Sequence, residues 1–80
     1  MTRETIYYAQ GFVEKRGALK PEIAVRCKSE EAALRAAARL GESKAGAVAF
    51  STSGDAELGD YDEEPLILSV IGRVPEGFTQ

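Results

Sequence analysis

Histidine is absent from this chain, and cysteine occurs once, as Cys27. Without histidine the usual Ser-His-Asp triad cannot form, and a structural zinc site would have no nitrogen ligand and only one thiolate. A lone cysteine cannot form an internal disulfide, and reduced cysteines are typical of the cytoplasm. We therefore expect a cytoplasmic protein that is not an enzyme. We assign no catalytic, cofactor-binding or metal-binding residue and expect no cofactor.

Long apolar runs are missing as well, since no segment approaches the roughly 20 apolar residues of a membrane-spanning helix. The N-terminus lacks the basic and then apolar layout of a signal peptide. The formal net charge of −3 argues against general affinity for nucleic acid. These absences predict no membrane partner, and they make a nucleic-acid partner an unfavoured alternative.

The chain is short, and its 80 residues predict a single small domain over 1–80 with a loose tail at about 75–80. A domain of this size buries only roughly 60–65% of its unfolded surface. Small domains often compensate with disulfides, a metal or oligomerisation, and only oligomerisation remains here.

The clearest element is a helix at 29–41, with the sequence SEEAALRAAARLG. Ser29 is a good N-cap, acidic residues follow it, and Gly41 suits a left-handed C-terminal position. Helical spacing predicts an inward face of Ala33, Ala36, Ala37 and Leu40 and an outward face of Glu31, Arg35 and Arg39. Such alanine- and arginine-rich helices are common in small bacterial proteins, and we expect a bacterial source.

Four segments predict strands because β-branched and aromatic residues alternate between turn residues: 5–14, 21–27, 46–53 and 66–74. The first two should form a hairpin around the turn at 15–20. In the second strand, alternation predicts a buried face of Ile23, Val25 and Cys27. The fourth strand is apolar on both sides, with Leu66, Leu68, Val70 and Val74 against Ile67 and Ile71.

The resulting order is ββαββ: an α+β fold in which a single helix packs on one face of a four-stranded, mainly antiparallel sheet. The apolar fourth strand favours the spatial order 1-2-4-3, which places that strand inside the sheet. Short connections place the basic turn at 15–20 and the acidic loop at 54–64 at opposite ends of the sheet.

Two segments carry residues suited to chemistry or to cation binding. Cys27 precedes the helix between two cations, an arrangement that lowers thiol pKa values, but its strand position favours a small buried hydrophobic residue. The acidic loop 54–64 offers oxygen ligands for a cation, although calcium-loop spacing is absent and a solvated loop is favoured. Its acidic residues are Asp55, Glu57, Asp60, Asp62, Glu63 and Glu64.

The function that these patterns favour is a non-enzymatic protein-protein interaction module. One helix covers one face of a sheet, yet apolar side chains face both ways, so the uncovered face needs a partner. A homodimer formed through the sheet is the first expectation. The alternative is a small regulator that binds a ligand or single-stranded nucleic acid on the open sheet face, near the basic cluster of Lys15, Arg16 and Lys20.

Overall fold

The computed structural model describes residues 4–55, 59–61 and 65–75. Within them the chain runs through the elements β1 (Glu4–Lys15), β2 (Ala18–Pro21), β3 (Val25–Cys27), α1 (Glu30–Ser43), β4 (Gly46–Asp55), β5 (Asp60–Tyr61) and β6 (Leu66–Gly72). All strand pairs are antiparallel, and α1 packs on one face of the sheet. The predicted α+β class and ββαββ arrangement are therefore confirmed. Apart from Pro75, the predicted tail at about 75–80 lies outside the described residues.

The predicted second strand is divided into β2 and β3, which both pair with β1. The division follows Pro21, which has no N–H to donate to the ladder. The Glu22 N–H donates to the Gly11 carbonyl at 2.9 Å, and residues 22–24 then form no ladder pair. The edge of the sheet is therefore interrupted where the sequence predicted a continuous strand.

The predicted strand order 1-2-4-3 is wrong, because the described sheet runs β2/β3, β1, β4 and then β6. α1 carries the chain across the sheet from β3 to the far side of β1, so β4 pairs along nearly the whole of β1. β6 then pairs with the outer side of β4 and lies at the edge. The most apolar strand is thus not the central one. β4 takes the inner position next to β1, and its small residues allow the helix to approach.

The core between α1 and the sheet is made of alanine: Ala9, Ala33, Ala37, Ala47 and Ala49 are all buried. Methyl groups let a helix lie close to a sheet, although each buries little area. Ala37 lies against the sheet as predicted. The outward face is also confirmed, because Arg35 is exposed and its guanidinium lies 3.7 Å from the Glu31 carboxylate.

The two ends of α1 differ in how well the sequence predicted them. The Ser29 hydroxyl accepts a hydrogen bond from the Ala32 N–H at 3.1 Å, which confirms the N-cap. The predicted left-handed end at Gly41 is wrong, since the helix continues to Ser43. Glycine at 41 makes room for a neighbouring side chain instead: a Cβ there would lie 2.5 Å from the Ile71 Cγ2.

A β-bulge changes the facing of β6. The register shifts at Ala49/Phe50, and Phe50 then stands opposite Ile67. As a result Leu68 and Ile71 both pack against the alanine core. The predicted separation of these two residues onto opposite faces is wrong because strict alternation does not survive an extra residue in one strand.

The two oppositely charged segments lie at opposite ends of the sheet, as predicted. The β1–β4 ladder begins with Glu4 opposite Gly54 and ends with Phe12 opposite Gly46. The basic turn after Lys15 therefore extends from one end, and Asp55 lies at the other.

Candidate interaction surfaces

The face of the sheet opposite α1 carries a group of half-buried apolar side chains. Because Ala49 lies under the helix, the neighbouring Phe50 points to the other face. Cross-strand pairing assigns the rest of this group to the same face. We call it the open-face patch: Ile6, Tyr8, Phe50, Ile67 and Val70.

The centre of the open-face patch is an aromatic pair. The rings of Tyr8 and Phe50 are stacked, with centroids 5.3 Å apart and an interplanar angle of 22°. Arg26 of β3 stands opposite Tyr8 in the ladder, so its exposed side chain emerges on this face. Stacked rings of this kind contribute about 0.5–1.5 kcal/mol beyond the area they bury.

The chain itself covers one end of this face. At Gly72, φ is +68°, and the Arg73 N–H donates to the Ala45 carbonyl at 3.0 Å. The backbone then passes directly over Gly46, where a Cβ would lie 1.9 Å from the Arg73 carbonyl oxygen. Arg73 forms an ion pair with Glu14 of β1. The sequence argument that a single helix leaves the whole opposite face uncovered is therefore too simple.

The burial of two large side chains agrees with this crossing. Phe12 and Val48 point away from the helix, yet they are the largest fully buried side chains described. Phe12 pairs with Gly46, directly beneath the crossing at Arg73. The other end of the face carries Tyr8 and Phe50, whose side chains are half-buried.

A second surface lies at the edge of the sheet, and the sequence did not predict it. Ile23 is 89% exposed and Val25 is 53% exposed, so the predicted burial of these two residues is wrong. The missing signal was the break after Pro21, which releases residues 22–24 from the ladder. Ile23, Val25 and the adjacent side of α1 border a groove, which we call the edge groove. Its lining residues are Gly11, Pro21, Glu22, Ile23, Val25, Ala36, Arg39, Leu40, Ser43 and Lys44.

Three cations lie at or near the edge groove. Arg39 lines it from α1, while Arg26 and Lys28 lie on and just beyond β3. Among the described residues, none of these three cations forms an ion pair. The groove's one acidic residue, Glu22, is neutralised by the Lys44 ammonium at 3.2 Å. The described groove is apolar inside, with Arg39 at its rim, and Arg26 and Lys28 lie on the other side of the bordering strand.

Cys27 is half-buried and packs against the alanine core. Its thiol lies 3.5 Å from the Val25 carbonyl oxygen, towards which it donates. It also lines a shallow cleft with the cations Arg26 and Lys28. The thiol's packing agrees with the small hydrophobic residue that the sequence favoured.

The predicted acidic loop is only partly a loop. Gly54 and Asp55 continue β4, and β5 pairs with them after a turn at Gly59. Asp55 is buried, at 4% exposure, which contradicts its predicted solvation. Glu57, Asp62, Glu63 and Glu64 lie outside the described residues. No cluster of three or more potential metal ligands occurs among those that are described.

The fold and the two surfaces define this chain as an α+β protein with one helix on an antiparallel sheet. Comparisons with protein-family models, with curated proteins and with solved structures give no match. The described part of the chain has no helix with the length and apolarity to cross a membrane.

Proposed function

We propose that this chain is a small, non-enzymatic protein-protein interaction module that self-associates through its sheet. The observation that supports the proposal is the open-face patch. Five large apolar side chains share a face on which no described helix residue packs, and they centre on the Tyr8–Phe50 pair. Contiguous apolar surface of this kind commonly marks a contact site.

The occupant that we propose for the patch is a second copy of the chain. A two-fold axis through the centre of the patch would bring each aromatic pair against its equivalent, and two-fold dimers are the commonest soluble assemblies. The small alanine core buries little apolar area. Burial of the open-face patch in a dimer would therefore add stability that the single chain lacks. A cytoplasmic location and a bacterial source belong to the same proposal, and the lone cysteine supports the first of them.

Sedimentation equilibrium tests this proposal with a pair of neighbouring substitutions. Ile67→Asp places a charge in the patch and is expected to dissociate the dimer. Leu66→Asp makes the matched change on the same strand, where Leu66 is 66% exposed and points to the other face. We expect it to leave the dimer intact.

A second variant guards against loss of folding. Thr52→Lys adds a charge to the open face beside Ile6 without removing an apolar side chain. Dissociation by both patch variants, with unchanged circular dichroism, supports the proposal. A wild-type chain that sediments as an 8.6 kDa species at about 100 μM contradicts it.

A second candidate function is binding of a ligand or single-stranded nucleic acid on the same face. The observation that favours it is Arg26 opposite the stacked Tyr8–Phe50 pair, since aromatic rings beside cations bind bases by stacking. Quenching of tyrosine fluorescence by oligothymidylate, weakened by salt and by Arg26→Ala, is the expected result. Unchanged fluorescence contradicts it.

A further inference from the structure

We propose that the edge groove binds an extended acidic peptide, which adds to β3 as a further strand of the sheet. This site goes beyond the proposed self-association and lies on a different surface. Within the described residues β3 pairs only with β1, so its outer backbone edge is available for a new strand. Addition of a peptide strand to an exposed edge is a recurrent mode of recognition.

The exposed apolar residues specify what one face of such a peptide must offer. Val25 stands opposite Ala9, which packs under the helix, so the Val25 side chain lies on the helix side of the edge. It lines the groove there with Ala36 and Leu40. Side chains of an added strand alternate between the two faces. Every second residue of the peptide should therefore be apolar and lie between Val25 and Leu40.

The cations specify the other residues of the peptide. Arg26 projects to the opposite face from Val25, Lys28 follows it, and Arg39 stands at the rim on the helix side. None has an acidic partner among the described residues. Carboxylates on the peptide's second face would approach Arg26 and Lys28. The expected partner is a segment in which acidic and apolar residues alternate.

The same cations disfavour a second copy of the chain at this edge. If two copies pair antiparallel about Arg26, the two Arg26 residues stand opposite each other. If they pair about Cys27, Arg26 of one copy stands opposite Lys28 of the other. Centring on Val25 still leaves the two Arg26 side chains as diagonal neighbours on one face. Like charges in such positions are destabilising, and edge cations commonly prevent self-pairing. An acidic partner removes the conflict.

The probe is the end-blocked, fluorescein-labelled peptide Glu-Val-Glu-Val-Glu-Val-Glu, measured by fluorescence anisotropy against the full chain. Its control carries lysine in place of every glutamate. We expect the wild type to bind the acidic peptide and to bind the lysine peptide at least about tenfold more weakly. In the double variant R26E/K28E this preference should reverse.

A matched double variant separates the groove from net charge. K15E/R35E changes the total charge by the same amount, but Lys15 lies at the end of β1 and Arg35 on α1, so neither is next to the strand that the peptide would pair with. It is expected to keep the wild-type preference. Val25→Thr, which keeps a β-branched side chain and removes apolar contact, should weaken binding several-fold without changing the charge preference.

Each of the following results would overturn the proposal. Equal binding of both peptides by the wild type, or equal loss in the two double variants, removes the groove as the site. Tighter binding of oligothymidylate than of the acidic peptide, lost in R26E/K28E, assigns the cations to nucleic acid. Dissociation of a wild-type dimer by Val25→Thr in sedimentation equilibrium assigns the edge to a second copy, because Val25 lies on the helix side and not on the open face. If the chain dimerises but binds neither peptide, only this inference fails and the proposed function stands.

Discussion

Gly46 should be the glycine at which a single methyl group has the largest effect. Its missing Cβ leaves room for the backbone at Arg73, whose carbonyl oxygen would lie 1.9 Å from that atom and whose carbonyl carbon would lie 2.5 Å away. The obstacle is main chain, held by the Arg73 N–H bond to Ala45 and by the positive φ at Gly72. Gly46→Ala must therefore displace the segment that crosses the open face.

The expected cost follows from two terms. Overpacking a well-packed site costs about 1–3 kcal/mol, and disrupting the Arg73–Ala45 hydrogen bond costs about 0.5–1.5 kcal/mol, so we expect about 3 kcal/mol in total. A domain of this length has an unfolding free energy of roughly 4–12 kcal/mol. Gly46→Ala should thus remove a large part of the stability of the chain.

Urea denaturation followed by circular dichroism measures the effect, and Gly41→Ala is the matched control. Alanine at 41 meets the Ile71 side chain instead of backbone, and a side chain can move. Gly41 also lies inside α1, where alanine is favoured over glycine by about 1 kcal/mol. The control should therefore change the unfolding free energy by less than Gly46→Ala. If the two variants unfold alike, residues 73–75 do not cross the sheet at Gly46.

Three further stability predictions concern α1 and one surface ion pair. Ala37→Leu should overpack the core and lower the unfolding free energy by about 1–3 kcal/mol, whereas Arg35→Ala should change it by less than about 0.5 kcal/mol in the same urea titration. Ser29→Ala removes the hydroxyl that caps the helix and should cost about 1 kcal/mol, measured as a lower midpoint of thermal unfolding. Glu14→Gln removes the carboxylate that pairs with Arg73, and because both side chains are largely exposed it should cost less than about 1 kcal/mol and lose its effect in high salt. Equal effects of Ala37→Leu and Arg35→Ala would contradict the rotation of α1 about its axis. An unchanged midpoint in Ser29→Ala would contradict the N-cap of the helix at Ser29.

Local patterns were enough to predict the class of fold and the helix. The N-cap at Ser29 and the inward facing of Ala33 and Ala37 depend on neighbours within a few residues. The structure confirms both. The end of the helix was not predictable in the same way. Gly41 has the sequence signature of a helix terminus, yet its role is set by Ile71, thirty residues away along the chain.

Strand order and facing depended on contacts between distant segments. Hydrophobicity pointed to 66–74 as the central strand, but the crossover of α1 gave that place to β4. The bulge opposite Ala49/Phe50 then moved Leu68 and Ile71 to one face. Neither event has a signature in a single strand, because each is a property of how two strands meet.

The candidate surfaces show the same division. The apolar composition of both sheet faces predicted an apolar face away from the helix, but the residues of the open-face patch follow from the pairing of β1, β4 and β6. The edge groove was missed because alternation made Ile23 and Val25 look buried. The break after Pro21 releases Ile23 from the ladder, whereas Val25 remains paired with Ala9 and is exposed because β3 lies at the edge of the sheet.

Isotope-filtered NOE spectroscopy on an equimolar mixture of carbon-13-labelled and unlabelled chain tests the central claim most directly. If the chain self-associates through the open-face patch, cross-peaks will connect the Ile67 methyl groups of one subunit to the Tyr8 and Phe50 rings of the other. Intersubunit cross-peaks confined to Ile23 and Val25, or none at a concentration where sedimentation shows a dimer, would contradict it.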